Sequence, residues 1–222
     1  MRLDPAGLAF WLTIGPVAAA GQGAVAGRVS VVDRGNKVAR DVGRAVVWLE
    51  SRRRMAVTPD TVEIVMSDKS FRPGVVVIPV GSRVGYRNTD PFNHNVFSLS
   101  REGPFDLGLY GRGVARTTVL RRPGILRVYC NVHARMNSFV VVRDNPYYTQ
   151  PAGDGSFTIP DVPAGTWDLV VWHERARESR RTLQVPAEGR AGLLIELDAR
   201  GYRPEPHLNK YGKPYRRRGR RY

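Results

Sequence analysis

Ile125-Leu126-Arg127-Val128-Tyr129-Cys130-Asn131-Val132-His133-Ala134-Arg135-Met136 is the stretch on which the reading of this chain turns. Leu126, Val128 and Cys130 fall on one face of an alternating strand, Arg127 and Tyr129 on the other. The strand thus ends on the only cysteine, pointing the way the core residues point. Beyond it Cys-x-x-His-x-x-Met places a thiolate, an imidazole and a thioether within seven residues, on the loop into Phe139–Val142.

A second imidazole, His94 in Asn93-His94-Asn95, lies 36 residues upstream on a separate loop after the strand-like Arg83–Asn88. One thiolate, two imidazoles and a weak thioether are the donor set of a blue-copper electron-transfer centre. Singly, these residues have plainer readings: a cysteine as a small buried hydrophobe, a methionine as filler, a histidine as a hydrogen-bonded loop residue. Zinc fits less well, because thioether is a poor zinc ligand and structural sites bring more cysteines. Nucleophilic Cys–His chemistry lacks an orienting third group and leaves Met136 idle.

Outward from this stretch the pattern is that of short strands. Val62–Val65, Val75–Val80, Arg83–Asn88, Val96–Leu99, Thr117–Leu120, Ile125–Cys130 and Phe139–Val142 give about seven, with a turn signal at Phe71-Arg72-Pro73-Gly74. Such spacing predicts an all-β Greek-key sandwich. Val25–Val31 and Ala45–Leu49 precede this section, with Ser51–Arg54 as an exposed break. After it come turns at Asp154-Gly155 and Pro163-Ala164-Gly165, with Trp167, Leu169 and Val171 on one strand face, then Thr182–Val185 and Leu193–Leu197. Neither flank buries enough surface to stand alone. The simplest solution is one sandwich made from both flanks, with the middle section inserted. The predicted divisions are 1–22 leader, 23–57 and 146–199 flanking sandwich, 60–143 inserted domain and 200–222 basic tail.

Met1–Ala20 is apolar from Gly7 onward and ends in small residues, as an export signal does, although Asp4 and Pro16 are atypical. Export, for example to a periplasm, is the expectation, with a retained N-terminal anchor as the alternative. Export suits the cysteine count, since a lone exposed thiol is a liability in an oxidising compartment and a metal-held thiolate is not. The formal charge is +15, and residues 200–222 hold nine Lys/Arg against one Glu. Such a tail favours an acidic partner or an anionic envelope surface, or is simply solvated. In an exported chain the interleaved Tyr and Arg of Tyr211–Tyr222 do not indicate nucleic acid. His173, next to Glu174, reads as a surface hydrogen-bonding residue, and His207 has no expected role.

The middle section, about Thr61–Arg143, resembles the cupredoxin family, nearest its amicyanin and plastocyanin branch. The resemblance rests on Phe71-Arg72-Pro73, Val80–Val84, Asn88-Thr89-Asp90, His94–Ser98 and Cys130-x-x-His133-x-x-Met136, whose short His-to-Met gap is amicyanin-like. It implies His94, Cys130 and His133 as equatorial copper ligands, Met136 as the axial one and Asn95 as the tie between the ligand loops. It also implies the exposed edge of His133 as the electron port. The flanks resemble a carboxypeptidase-regulatory or transthyretin-like domain, through Ala24–Val31, Asp154–Ile159 and Val162–Leu169, which implies a structural module. The whole resembles exported methylamine-utilisation or plastocyanin-like proteins. The expectation is a type 1 copper carrier of single electrons between redox partner proteins, with one copper per chain, and not an enzyme. The alternatives are a copper storage, delivery or docking module and a copper-free scaffold.

Overall fold

The computed structural model describes residues 22–50, 55–204 and 207–215. Residues 1–21, where a leader is expected, 51–54, 205–206 and the Arg-rich 216–222 lie outside the described residues. Before the break come β1 (Gln22–Asp33), β2 (Lys37–Val38) and β3 (Val46–Glu50). The middle section forms nine strands: β4 (Thr61–Ser67), β5 (Ser70–Arg72), β6 (Val75–Pro79), β7 (Arg83–Asn88), β8 (His94–Ser98), β9 (Phe105–Tyr110), β10 (Ala115–Val119), β11 (Gly124–Cys130) and β12 (Asn137–Arg143). The remainder supplies β13 (Tyr148–Thr149), β14 (Ser156–Pro163), β15 (Gly165–Trp172), β16 (Ser179–Val185) and β17 (Gly189–Asp198). A 3-10 turn at Val42–Arg44 is the only helical element among the described residues, and no helix there is long and apolar enough to cross a membrane.

The protein is all-β, and its four sheets sort by position in the chain. One sheet has the order β14-β1-β17 with β2 on β1, and another β13-β3-β15-β16. Both mix strands from the two flanks, and β1 pairs in parallel with the last strand, β17. Val25, Val29 and Val31 of β1 meet Val47, Leu49, Leu169, Val171, Ile195 and Leu197 in one core. The middle strands form the other two sheets, β10-β7-β4-β5 and β6-β12-β11-β8-β9, closed around Ile64, Tyr86, Val96, Leu126, Val128 and Val140. The middle strands thus pair only among themselves, and strands that precede and follow them in the chain share the other two sheets.

The two units share a face. Val46 and Trp48 of β3 and Val170 of β15 pack on Val75 and Val141 of the inserted unit, with Phe139 and Trp172 at the margin. This explains why β3 reads Val-Val-Trp-Leu without alternation: odd and even side chains both meet a core, as in any strand covered on both sides. The Arg143 guanidinium closes the seam, 4.5 Å over the Trp48 ring.

Four strands were not expected, the two-residue β2 and β13 together with β5 and β9. β5 contains Phe71, buried under the turn signal, and β9 is an edge strand whose alternation is interrupted at Gly108, in the left-handed region. His173 departs from its surface reading: its side chain is fully buried, Nε2 facing the Asp41 carbonyl at 3.3 Å and Nδ1 accepting from the Arg175 amide. The bend at the end of β15 turns it inward. Residues 207–215 depart from the solvated-tail reading, because they pack along the loop that follows β11.

Candidate metal centre

β11 and β8 pair only at Tyr129↔Phe97 and Cys130↔Val96. That register brings the end of β11 beside the start of β8, where His94 is the first residue. Cys130 and His94 are both fully buried, and His133, on the loop between β11 and β12, is half-buried. His94 Nδ1 lies 3.4 Å from Cys130 Sγ, His133 Nδ1 lies 3.6 Å from the same sulfur, and the two Nδ1 atoms are 3.2 Å apart. A point equidistant from the three atoms lies about 2.0 Å from each, close to metal–imidazole and slightly short of metal–thiolate bond lengths. The triangle is therefore sized for one small transition-metal ion.

The surroundings set the state of each donor. His94 Nε2 is 2.8 Å from Asp90 Oδ2. Asp90 is itself buried and accepts the amides of Asp68 and Lys69. A carboxylate on Nε2 orients the ring and turns Nδ1 toward the sulfur, the usual way a histidine ligand is oriented. Burial alone would raise the Cys130 thiol. Its hydrogen bond with His94 and the backbone amides of Asn95, Val132 and His133 outweigh burial and hold it below the ordinary thiol range. Burial, with His94 and Lys69 acting in the same direction, holds His133 below the ordinary imidazole value. The Phe92 ring stands 5.3 Å from both imidazoles.

Met136 is buried in the same core cluster as Cys130, and two main-chain bonds fold it back over the site: Cys130 N–H to Met136 O at 3.1 Å and Met136 N–H to His133 O at 3.0 Å. Asn95 links the two loops through its main chain, since the Asn131 amide donates to the Asn95 carbonyl at 2.8 Å. Its side chain goes elsewhere, donating to Asp106 Oδ1 at 2.6 Å. All four sequence-predicted donor residues thus converge on one end of the inserted sandwich. Sequence reasoning missed Asp90, Phe92, Asp106 and the tail residues around Tyr215. Asp90, four residues before His94, carried the one available signal, a carboxylate on the same loop as an imidazole.

No protein-family model and no curated protein matches the chain. Among solved structures it is similar to a copper-containing nitrite reductase from Thermus scotoductus, at 26% identity over 41% of this chain and 24% of that one, with a TM-score of 0.36. This chain thus spans about a quarter of that reductase. A purple cupredoxin from Nitrosopumilus maritimus aligns at 23% identity over 37% of this chain and 99% of its own, with a TM-score of 0.34. A reduced amicyanin variant aligns at 19% identity over 44% of this chain and 98% of its own, with a TM-score of 0.35.

Proposed function

We propose that the chain is an exported type 1 copper protein carrying single electrons between redox partners, with His94, Cys130 and His133 as equatorial ligands and Met136 as the axial one. The observation that carries this reading is the triangle of Nδ1, Sγ and Nδ1, sized for one ion and built of one soft and two borderline donors. When bound, copper supplies a one-electron Cu(II)/Cu(I) couple. Asp90 orients the His94 ring, a hydrogen bond from His94 and three backbone amides hold the Cys130 thiol below its ordinary range, and Phe92 stands against both imidazoles. These positions are fixed by strands and buried hydrogen bonds, so the donors move little with a change of charge.

His133 is the one half-exposed imidazole of the pair, which makes its edge the route for electron exchange. The outer sandwich, with its carboxypeptidase-regulatory resemblance, serves as a structural mount. The net charge of +15 suits a partner with an acidic surface.

The test is a visible spectrum after Cu(II) addition, with copper quantified. An intense thiolate-to-copper band at one copper per chain is expected. Cys130→Ser should abolish it, and Met136→Leu should keep the colour and shift the potential. A band surviving Cys130→Ser would overturn the assignment. Full burial of His94 and Cys130 favours retention over delivery, and repeated redox cycling without copper loss to a chelator checks that point.

A further inference from the structure

The segment 207–215 is a strap over the back of the ligand loop. Tyr215 Oη donates to the Cys130 carbonyl at 2.8 Å. The His207 ring stacks on Tyr129, with centroids 4.1 Å apart and planes 21° apart, and meets Tyr215 edge-on at 5.1 Å. The Lys210 amide donates to Asn131 Oδ1 at 3.0 Å, and its ammonium reaches Asp106 Oδ2 at 2.6 Å. The other oxygen of Asp106 accepts from the Asn95 side chain. Tyr129, Cys130, Asn131 and Asn95, all at or next to the proposed ligands, are therefore each touched by the strap or bonded to a residue that is.

We infer that Tyr215 and His207 are positioning residues of the metal centre, fixing the peptide that leaves Cys130 and thereby the donors that face its sulfur. The Cys130 carbonyl and the Asn131 amide belong to one planar unit. Tyr215 holds the carbonyl side and the Asn95 carbonyl holds the amide side, so the plane cannot rotate without breaking a bond. The next amide along, that of Val132, donates to Cys130 Sγ at 3.4 Å. Hydrogen bonds to a ligand sulfur withdraw charge from it and tune the potential of a copper–thiolate site. Removing the Tyr215 hydroxyl leaves the carbonyl without its protein donor and frees the plane that aims Val132. Both changes enrich the sulfur in charge, favour the oxidised metal and lower the reduction potential.

The inference rests on the copper reading above. The experiment uses the full copper-loaded chain with Tyr215→Phe, His207→Ala and, as a control on the same segment, Tyr211→Phe, whose ring is 71% exposed. Tyr215→Phe is expected to lower the reduction potential, shift the thiolate band and release copper to a chelator roughly fivefold faster, the equivalent of one net hydrogen bond. His207→Ala should act in the same direction, and Tyr211→Phe should do neither. Potential, band and release all unchanged in Tyr215→Phe would overturn the inference. If the wild-type chain binds no copper, the copper reading itself has failed, and amide exchange at Asn131 in the metal-free chain judges the strap. Faster exchange in Tyr215→Phe and His207→Ala supports its hold on the loop, and wild-type exchange rejects it.

Discussion

Asp90 shows how much of the site depends on a residue that ligates nothing. Its carboxylate takes two backbone amides, of Asp68 and Lys69, and the Nε2 proton of His94. Its own amide is held by Asn88 Oδ1, while the Asn88 amide group bonds the carbonyls of Phe92 and Tyr110. The His94 loop is thus a closed set of buried hydrogen bonds with the imidazole at its tip. Asp90→Ala should cut copper affinity about 10- to 100-fold, the usual effect of losing the partner of a ligating histidine. Competition with a chelator of known affinity measures it, and unchanged affinity would remove Asp90 from the site. The proximity of His94, Cys130 and His133 was legible from the sequence because Cys and His at strand ends carry chemistry in their identity. Asp90 was not, because a carboxylate on a loop looks alike whether it faces solvent or an imidazole. Only the pairing of β4 with β7, which brings Asp68 and Lys69 over the loop, decides between them.

Among the elements, the turn at Asp154-Gly155 was readable because it needs glycine. Gly155 is in the left-handed region at φ 87°, and a Cβ there would fall 2.1 Å from the Val29 carbonyl oxygen, so the hairpin before β14 admits no side chain. The links between distant elements were not readable, and Arg175 is the clearest case. From the loop after β15 its guanidinium pairs with Asp33 at the end of β1 and with Asp41 before the 3-10 turn. Burial alone would raise the Asp41 carboxyl, but the hydrogen bonds and charge of Arg175, with His173 nearby, outweigh it and hold it below the ordinary carboxylate range. A lowered folded value means that this stabilisation is complete above about pH 4, the ordinary Asp range, and fades as pH falls through the folded value. Because Asp41 is 34% exposed, the contribution is modest, about 0.5–1 kcal/mol. Urea midpoints of wild type and Arg175→Ala should therefore differ at pH 7 and converge toward pH 3. A difference that persists undiminished in acid would assign the Arg175 effect to packing instead. Nothing in the sequence pairs Arg175 with residues more than 130 positions away, since charge alone does not say which carboxylate is near.

At the scale of the molecule the four sheets among the described residues form a stack: β14-β1-β17, then β13-β3-β15-β16, then the two sheets of the middle section. Three layers of side chains separate them, and the middle one is the seam of Val46, Trp48, Val75, Val141 and Val170. That strands from both flanks share sheets was expected from the insufficiency of each flank, but the seam was not readable, because continuous apolar runs such as Val46–Leu49 do not say what covers the second face. The seam ties the stability of one sandwich to that of the other. Trp48 is its largest member, 2% exposed, with its indole N–H on Glu50 and its face under Arg143. Trp48→Ala removes that volume and leaves the guanidinium without its aromatic platform, a loss of about 3–5 kcal/mol for a buried aromatic. For a domain pair of this size that corresponds to a fall in Tm of about 10 °C. Because the lost contacts lie between the units, scanning calorimetry should also show one transition in the wild type and two in the variant, the coupling having been weakened more than either core. A single transition at the wild-type temperature would mean that the sandwiches are joined by the chain crossings alone and that the seam contributes nothing to holding them together.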